Sequence, residues 1–575
     1  MKLLGIFHSY SDPSAALVID GKVIAFVEEE RLLRVKHANS YFPTLAINNV
    51  LKAGNLSIND IDRIVQAWDC PAYDDGQMQA IYDEINKRYP TDDADRAYQK
   101  RHLGQLSASS QKGIIQQNLK KYFGDQKFPP VEFVKHHLSH ATMAYWQSPF
   151  DSTLVLTLDG SGEWITTGWW SAQDGKLELL KEVHIPHSWG WFYSAFTEYL
   201  GFRAYDGEYK VMGLAAYGRG DPFLRDKVSK IIWYDGEGGF ESDPMLISRG
   251  KRSHSYYYPD QLIEHMGQSP RGEIEEVTDW HKNLAYEVQN HLQEIVLQMT
   301  QYWVKKTEVR NLVIAGGVGL NVKMNGYLYD CGVVDDIFVH PLCADAGVSI
   351  GAALTFENAK QPLKQDLLRD ISYGPSYADD EIEDVLKLCQ LSYTKEDCIE
   401  EKVAQLLADG KVVGWFQGGM EAGPRALGNR SILADPRHIE SRDKVNAVIK
   451  YREMWRPFCP SMTQEGAERY LEKFCYAPFM IITFSATELA QKEIPAVVHV
   501  DGTTRPQVVE EKANQLYHNL IKEFERITQV PCLLNTSFNI KGEPIVCTPQ
   551  DAIRTFSATG LEALALGSFL LLKSN

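Results

Sequence analysis

At 575 residues the chain is too long for one compact core, since about 100–200 residues make a domain, and three or four structural units are expected. A composition of 44% hydrophobic, 11% aromatic and 23% charged residues, with Gly and Pro spread along the chain, excludes disorder and fibrous repeats. With 59 Lys and Arg against 76 Asp and Glu the net charge is −17, a field that repels phosphate backbones and anionic lipid and argues against nucleic-acid and membrane partners.

Residues 2–7 read as a buried strand, 9–12 as a polar turn, 15–19 as a second strand and, past Asp20–Gly21, 23–28 as a third. This is a β-meander whose first turn presents Asp12. Its opening apolar run is too short for a signal peptide, and no stretch of 18 apolar residues occurs, so neither export signal nor membrane span is expected. Residues 73–127 are polar and helix-compatible and read as an insertion on a cleft rim, as does 220–300, which ends in a helical stretch over 277–305. The run His136-His137-Leu138-Ser139-His140-Ala141 fits a helix on which His136 and His140 share a face while His137 points about a quarter-turn away.

A second meander follows: 152–158 ends in Asp159–Gly160–Ser161–Gly162, the chain returns over 163–170, and 173–180 continues past Asp174–Gly175. The two meanders resemble the paired phosphate loops of the actin–hexokinase–heat-shock ATPase superfamily. The strand Asn311–Ala315 then runs into Gly316–Gly317–Val318–Gly319–Leu320–Asn321, a glycine-rich turn before a helix that lets backbone N–H groups approach a nucleotide. Asp345 precedes a small-residue helix over 349–354. Periodicity is lost over 359–370, a new alternation begins beyond Ser372, and strands are expected at 412–416 and 532–534.

Two imidazoles and two carboxylates, His136, His140, Asp159 and Asp345, suit a divalent ion with open positions such as Fe²⁺, Mn²⁺ or Zn²⁺; histidines four apart are also an ordinary helix feature. Over 418–461 the cations Arg425, Arg430, Arg437, Arg442, Lys444, Lys450, Arg452 and Arg456 exceed the acids by three. That suits a triphosphate or acyl phosphate, or else a solvated basic face paired with its acids. Arg505, Asn535 and Ser537 add polar groups from strand ends. Nine cysteines, an odd number with no C-x-x-C pair, predict reduced thiols in a cytoplasmic protein.

VEEER at 27–31 with Lys36–His37, HHLSHA at 136–141, LDGSGE at 158–163, YKVMGLAAY at 209–217, AGGVGLN at 315–321, DAGVSIGAA at 345–353, GPRALGNRSILADPR at 423–437, WRPFCPS at 455–461 and LNTSFNIKGEPIV at 534–546 complete the pattern. On these runs the chain resembles the NodU/CmcH-type O-carbamoyltransferases over nearly its whole length. The resemblance implies an α/β protein with a duplicated actin/hexokinase-like domain over 1–358, similar to the tRNA threonylcarbamoyltransferase subunit, a linker over 359–374 and a YrdC-like α/β domain over 375–575. The second domain would make carbamoyl adenylate from carbamoyl phosphate and ATP with Mg²⁺, and the first would pass the carbamoyl group to a hydroxyl of a small, natural-product or sugar-like acceptor, releasing AMP.

By the same resemblance His136, His140, Asp159 and Asp345 would hold the metal, Fe²⁺ in the first place, and Asp12, Lys36, His136 and His140 would be catalytic, Asp12 as general base. Asp159, Gly160, Ser161, Gly162, Lys210, Gly316, Gly317, Val318, Gly319, Leu320 and Asn321 would bind the adenylate. Arg425, Lys450, Arg456, Arg505, Asn535 and Ser537 would bind carbamoyl phosphate and ATP. The family leaves room for a homodimer. Ser11 stands where many relatives have His, and Ala38–Asn39–Ser40 lacks a cation found in some; both bear on acceptor choice and phosphate grip. A sugar phosphotransferase of the ATPase superfamily is the alternative, but it leaves the basic C-terminal region unexplained, and a HypF-type factor would need zinc-finger cysteines that are absent.

Overall fold

Leu3, Leu4, Ile6 and Phe7 are fully buried because β1 (Lys2–Phe7) is an interior strand, flanked by chain on both edges. The computed structural model describes residues 1–8, 11–249, 257–450, 453 and 455–573. Beside β1 lie β2 (Ser14–Ile19) and β3 (Lys22–Glu28) on one edge and β4 (Arg63–Gln66) and β5 (Val131–Phe133) on the other, in the order β3-β2-β1-β4-β5, with β1, β4 and β5 parallel. The second sheet uses β6 (Ser152–Gly162), β7 (Ile165–Gln173) and β8 (Lys176–His184). A separate hairpin, β9 (Ile232–Tyr234) and β10 (Phe240–Ser242), precedes its last strands, β11 (Asn311–Ala315) and β12 (Asp336–Val339). Its order is β8-β7-β6-β11-β12, with β11 parallel to β6 and β12. Three sequential strands followed by two more on the far side of the first is one design used twice, the duplicated α/β plan of the actin–hexokinase type.

The expected turn at 159–162 lies elsewhere. Asp159–Gly162 stays within β6, with a shift in register between Leu158 and Gly162, and the chain reverses at Glu163–Trp164, where Glu163 has φ 50°. The bulge lets a strand end carry an Asp while bending away from its neighbour.

Glycines hold the first unit together at backbone distance. A methyl at Gly5 on β1 would run into the Ser349 carbonyl oxygen of the helix Val348–Asn358, and one at Gly351 would strike the Ser139 carbonyl of the helix His136–Trp146.

Two compact units emerge: Met1–Phe7, Ala16–Val23 and Leu56–Leu367, and then His8–Ala15, Ile24–Asn55 and Leu368–Asn575. The second carries an eight-stranded sheet from β13 (Thr394–Lys395), β14 (Val413–Phe416), β15 (Arg430–Ala434), β16 (Cys459–Met462), β19 (Gln507–Val508), β20 (Cys532–Ser537), β21 (Ala563–Leu566) and β22 (Phe569–Leu572). Their order is β13-β22-β21-β14-β15-β20-β16-β19, while β17 (Phe484–Ser485) pairs apart with β18 (Thr503–Thr504). Segment 24–55 belongs to this unit through charge-assisted bonds: the Gly423 N–H donates to Glu28 Oε1 (2.6 Å), Arg31 donates to the Gly423 carbonyl (2.6 Å) and Arg34 to the Ile545 carbonyl (2.6 Å).

Among the described residues no helix is long and apolar enough to cross a membrane. None of the nine cysteines is in a disulfide. Replacing Gly351 by Ala should destabilise the protein by about 1–3 kcal/mol through overpacking, whereas Gly104→Ala, where a methyl meets nothing within 4 Å, should cost nothing or gain up to about 1 kcal/mol of helix propensity. Denaturant midpoints of the two variants check the contrast.

Candidate metal centre and anion-binding residues

The helix His136–Trp146 is buried along nearly its whole length, which lets two polar rings sit in the interior only if they find partners. His136 Nε2 and His140 Nε2 face each other at 3.1 Å with the rings nearly perpendicular. His140 Nε2 lies 3.1 Å from Asp159 Oδ2, and His136 Nε2 lies 3.6 Å from both Asp159 Oδ2 and Asp345 Oδ1. One donor atom from each of the four falls within 4.8 Å of every other. Two ring nitrogens at that separation must share a proton or a cation, and the adjoining pair of carboxylates favours positive charge between them. Burial pushes the His136 imidazole down, but hydrogen bonds to Asp159 and Asp345 outweigh it and hold the ring at about 10. Burial lowers His140 and opposes ionisation of Asp159, whose carboxyl the two histidines nevertheless hold well below the usual range.

His136 Nδ1 faces the Ala67 carbonyl at 3.3 Å, which reserves Nε2 for the cluster, and the rings of Phe7 and Trp68 flank the imidazole at 5.7 and 5.3 Å. His137 turns away to Thr157 Oγ1 at 2.8 Å. Donors of this kind, three of them buried and Asp345 partly exposed, fit a borderline divalent cation.

The glycine turn abuts this cluster. Gly316, at φ 87°, packs on the backbone of Leu158 where a side chain would clash, and a methyl on Gly317 would sit 3.1 Å from Asp159 Oδ1. The Gly160 N–H donates to Asp159 Oδ1 (2.7 Å), the Gly160 carbonyl accepts from Ser188 Oγ (2.7 Å), and Ser161 and Gly162 complete the bulged strand end. Gly317–Leu320, which includes Val318 and Gly319, forms a single 3₁₀ turn. The Asn321 side chain caps the following helix at the Met324 N–H (3.0 Å) and exchanges hydrogen bonds with Gln289, so it holds the turn in shape. Lys210 stands on the helix Glu208–Ala215 with its ammonium 5.5 Å from the Phe202 ring.

In the second unit much of the basic excess is spent internally. Arg430 is fully buried, donates to the carbonyls of Gln417 (2.6 Å) and Pro375 (3.0 Å) and stacks on Phe416, while Arg437 pairs with Asp435, Arg442 with Asp443 and Lys444 with Glu562. Arg452 lies outside the described residues. Lys450 donates to Asn539 Oδ1 (2.7 Å) and to the Ser537 carbonyl, and Ser537 Oγ donates to Asn539 Oδ1 (2.8 Å). Arg456 pairs with Glu453 at 3.7 Å, and the Arg505 guanidinium forks onto the Cys459 thiol at 2.8 and 3.1 Å. The Asn535 amide donates to Ser461 Oγ (2.9 Å) and the Ala426 carbonyl (3.1 Å). Arg425 sits in a loop shaped by buried Glu421, whose carboxylate accepts the N–H groups of Leu427, Asn429 and Arg430.

Asp12, at φ 47°, accepts from His37 Nδ1 at 2.7 Å, and the His37 N–H donates to Glu30 Oε2 at 2.7 Å; Lys36 precedes it, half-buried. Sequence reasoning passed over His37 as a chemical group. It also passed over Glu163, a buried carboxylate that accepts the N–H groups of Asp69 (2.6 Å) and His136 (3.1 Å) and that burial pushes up to about 7. Both lie within quoted motifs, and their adjacency to a chosen residue was the available signal.

Residues 2–354 match the family model described as Carbamoyltransferase N-terminus, and 404–573 the model described as Carbamoyltransferase C-terminus. An uncharacterized protein of Synechocystis sp. is 36% identical, with 100% of this chain and 97% of that one covered. Nodulation protein NolNO of Sinorhizobium fredii is 36% identical, with 98% of this chain and 79% of that one covered. Among solved structures, the ROK hexokinase of Thermus thermophilus covers 62% of this chain and 98% of its own at a TM-score of 0.29 and 14% identity, which adds nothing to the topology itself. With both family models matched in chain order and relatives aligned along nearly the full length, the chain belongs to the carbamoyltransferase family.

Proposed function

We propose that this carbamoyltransferase is ATP-dependent and O-specific: it makes carbamoyl adenylate from carbamoyl phosphate and Mg·ATP in a YrdC-like domain over 375–575, joined by a linker over 359–374. A domain over 1–358 then passes the carbamoyl group to a hydroxyl of a small sugar-like or natural-product acceptor and releases AMP. The observation that carries the reading is the His136–His140–Asp159–Asp345 cluster, whose Asp159 lies directly against the Gly316–Gly317 turn. This pairs a cation-binding donor set with a backbone shaped for a nucleotide.

The four side chains would hold one divalent ion, Fe²⁺ in the first place with Mn²⁺ or Zn²⁺ as alternatives, and such an ion supplies Lewis acidity at the carbamoyl oxygen. The chain's own groups do the rest. The Gly160 and Gly316–Gly319 backbone takes the adenylate without side-chain interference, and Asp12, oriented by His37, removes the acceptor proton. Arg425, Arg456 and Arg505 offer planar forks for acyl phosphate and triphosphate oxygens, and Lys450 with Ser537 lines the end of β20.

Incubation with carbamoyl phosphate, Mg·ATP and a panel of alcohols should yield orthophosphate from the carbamoyl phosphate, pyrophosphate and AMP from the ATP, and an acceptor heavier by one carbamoyl group; ADP with a phosphorylated acceptor would instead mark a sugar kinase. His140→Ala should lose the ion, read by elemental analysis, and abolish transfer while carbamoyl-phosphate-dependent exchange of pyrophosphate into ATP survives. Full metal occupancy in that variant would defeat the ligand assignment. Asp12→Asn should leave the exchange intact and slow transfer by roughly 10²–10⁴-fold. Arg456→Ala should show the opposite split, with exchange lost and product recovered when synthetic carbamoyl adenylate is supplied.

A further inference from the structure

A cavity of about 320 Å³ opens within the second unit, and none of the residues that line it is among those assigned above to carbamoyl phosphate, ATP or transfer. It lies where the end of β14 meets the turn between β21 and β22. The first turns of the helices Asp379–Leu388 and Ile399–Ala408 supply further walls.

Its charge is one-sided. Asp379, Glu396, Asp397 and Glu400 line it, and no Lys, Arg or His does. Two of these carboxylates are engaged by the protein. Asp379 accepts from the Ser568 N–H (3.3 Å) and lies 3.5 Å from the Lys395 ammonium, and Glu396 accepts from Thr394 Oγ1 (2.6 Å). Among the described residues no hydrogen bond or ion pair engages the side chains of Asp397 and Glu400. A helix dipole favours an acid in the first turn, which accounts for Asp379 and Glu400 singly but not for four carboxylates around one hollow.

The inner wall adds aromatic faces and an open acceptor. The rings of Tyr377 and Phe416 stand 6.1 Å apart, tilted by 43°. Gln417 follows Phe416 and is 7% exposed; its Nε2 donates to the Gly567 carbonyl (2.9 Å), while among the described residues no donor reaches its Oε1. Buried polar groups ordinarily find partners, so an acceptor left open on the wall of a cavity calls for a donor that a ligand brings.

These features define the occupant by elimination. An anion would face four carboxylates with no lining cation. A single metal ion does not fit either: the clusters of three or more donor atoms gathered within 4.8 Å of one another include none of these carboxylates, which are spread around the hollow instead. Separated negative charges call for separated positive ones, and the apolar side chains of Ile382, Ile399 and Leu516 beside the two rings call for hydrocarbon between them. We propose that this cavity binds an aliphatic polyamine. Its ammonium groups meet Asp397, Glu400 and Gln417 Oε1, and its methylene chain lies along Tyr377 and Ile399.

Isothermal titration of the full-length protein with spermidine, at physiological ionic strength and with Mg²⁺ as the compact dication for comparison, tests the assignment. Spermidine should bind one saturable site per chain, and Mg²⁺ at equal charge concentration should not displace it. Asp397→Asn and Glu400→Gln should each weaken spermidine about threefold, and together about tenfold. Tyr377→Ala should weaken it by about fivefold and Tyr377→Phe should keep it. Asp93→Asn, at an exposed acid of the first unit, should change nothing. Asp397 is itself exposed, so its variant reports on binding without endangering the fold. No saturable site, displacement by Mg²⁺ at equal charge, or charge variants that bind like the parent would overturn the proposal, and a Tyr377→Ala protein that binds like the parent would overturn the organic character of the ligand. The titration uses neither carbamoyl phosphate nor ATP, so its result stands apart from the reaction proposed above.

Discussion

The contact on which the first unit depends is backbone against backbone. The helix Val348–Asn358 is pressed at one point onto Gly5 of β1 and through its own Gly351 onto the helix His136–Trp146, so three elements are locked at a spacing no other residue permits. One of these helices carries His136 and His140, and the other begins at Val348, after the 3₁₀ turn Asp345–Gly347 that opens on Asp345. The other carboxylate-bearing element, the end of β6 with Asp159, is set by the same means, because a methyl on Gly162 would drive into the His136 ring and Gly190 packs on Gly160. The donor cluster is therefore rigid because the glycines around it are, and rigidity is what turns four polar side chains in an apolar interior into a site.

Burial then sets the electrostatics. The two imidazoles and the Asp159 carboxylate are removed from water, and their charges compensate: Asp159 and Asp345 hold a proton on His136 against its burial, and the histidines keep Asp159 ionised. A cation entering such a cluster replaces a proton rather than filling a void, so its affinity is bound to the hydrogen-bonding state of the four residues. Glu163, bridging the N–H groups of Asp69 and His136 from beneath, links the cluster to the strand end that presents Asp69.

In the second unit the opposite arrangement appears. Charges are numerous, but most are consumed in holding loops: Glu421 gathers three amide N–H groups of the 427–430 turn, Arg430 satisfies carbonyls from the buried side, and Glu28 with Arg31 clamps Gly423. These bonds bring a segment more than 300 residues upstream into the same compact body as the C-terminal sheet. A basic excess counted along the chain thus overstates the charge available to a ligand.

Much was legible in the primary structure. The meanders, the β11 strand with its glycine turn, and the pairing of His136 with His140 on one helix face follow from local periodicity and spacing, because a strand's alternation and a helix's 3.6-residue repeat are written within a few neighbours. What composition could not show is where a polar group spends its hydrogen bonds. Asn321 caps a helix and Asn535 braces a strand, bonds that no sequence pattern announces; the reversal after β6 waits until Glu163 because the strand end bulges; and residues 24–55 fold with the C-terminal sheet. Each of these was decided by partners distant in the chain, and a long-range hydrogen bond leaves no local pattern by which a single sequence can announce it.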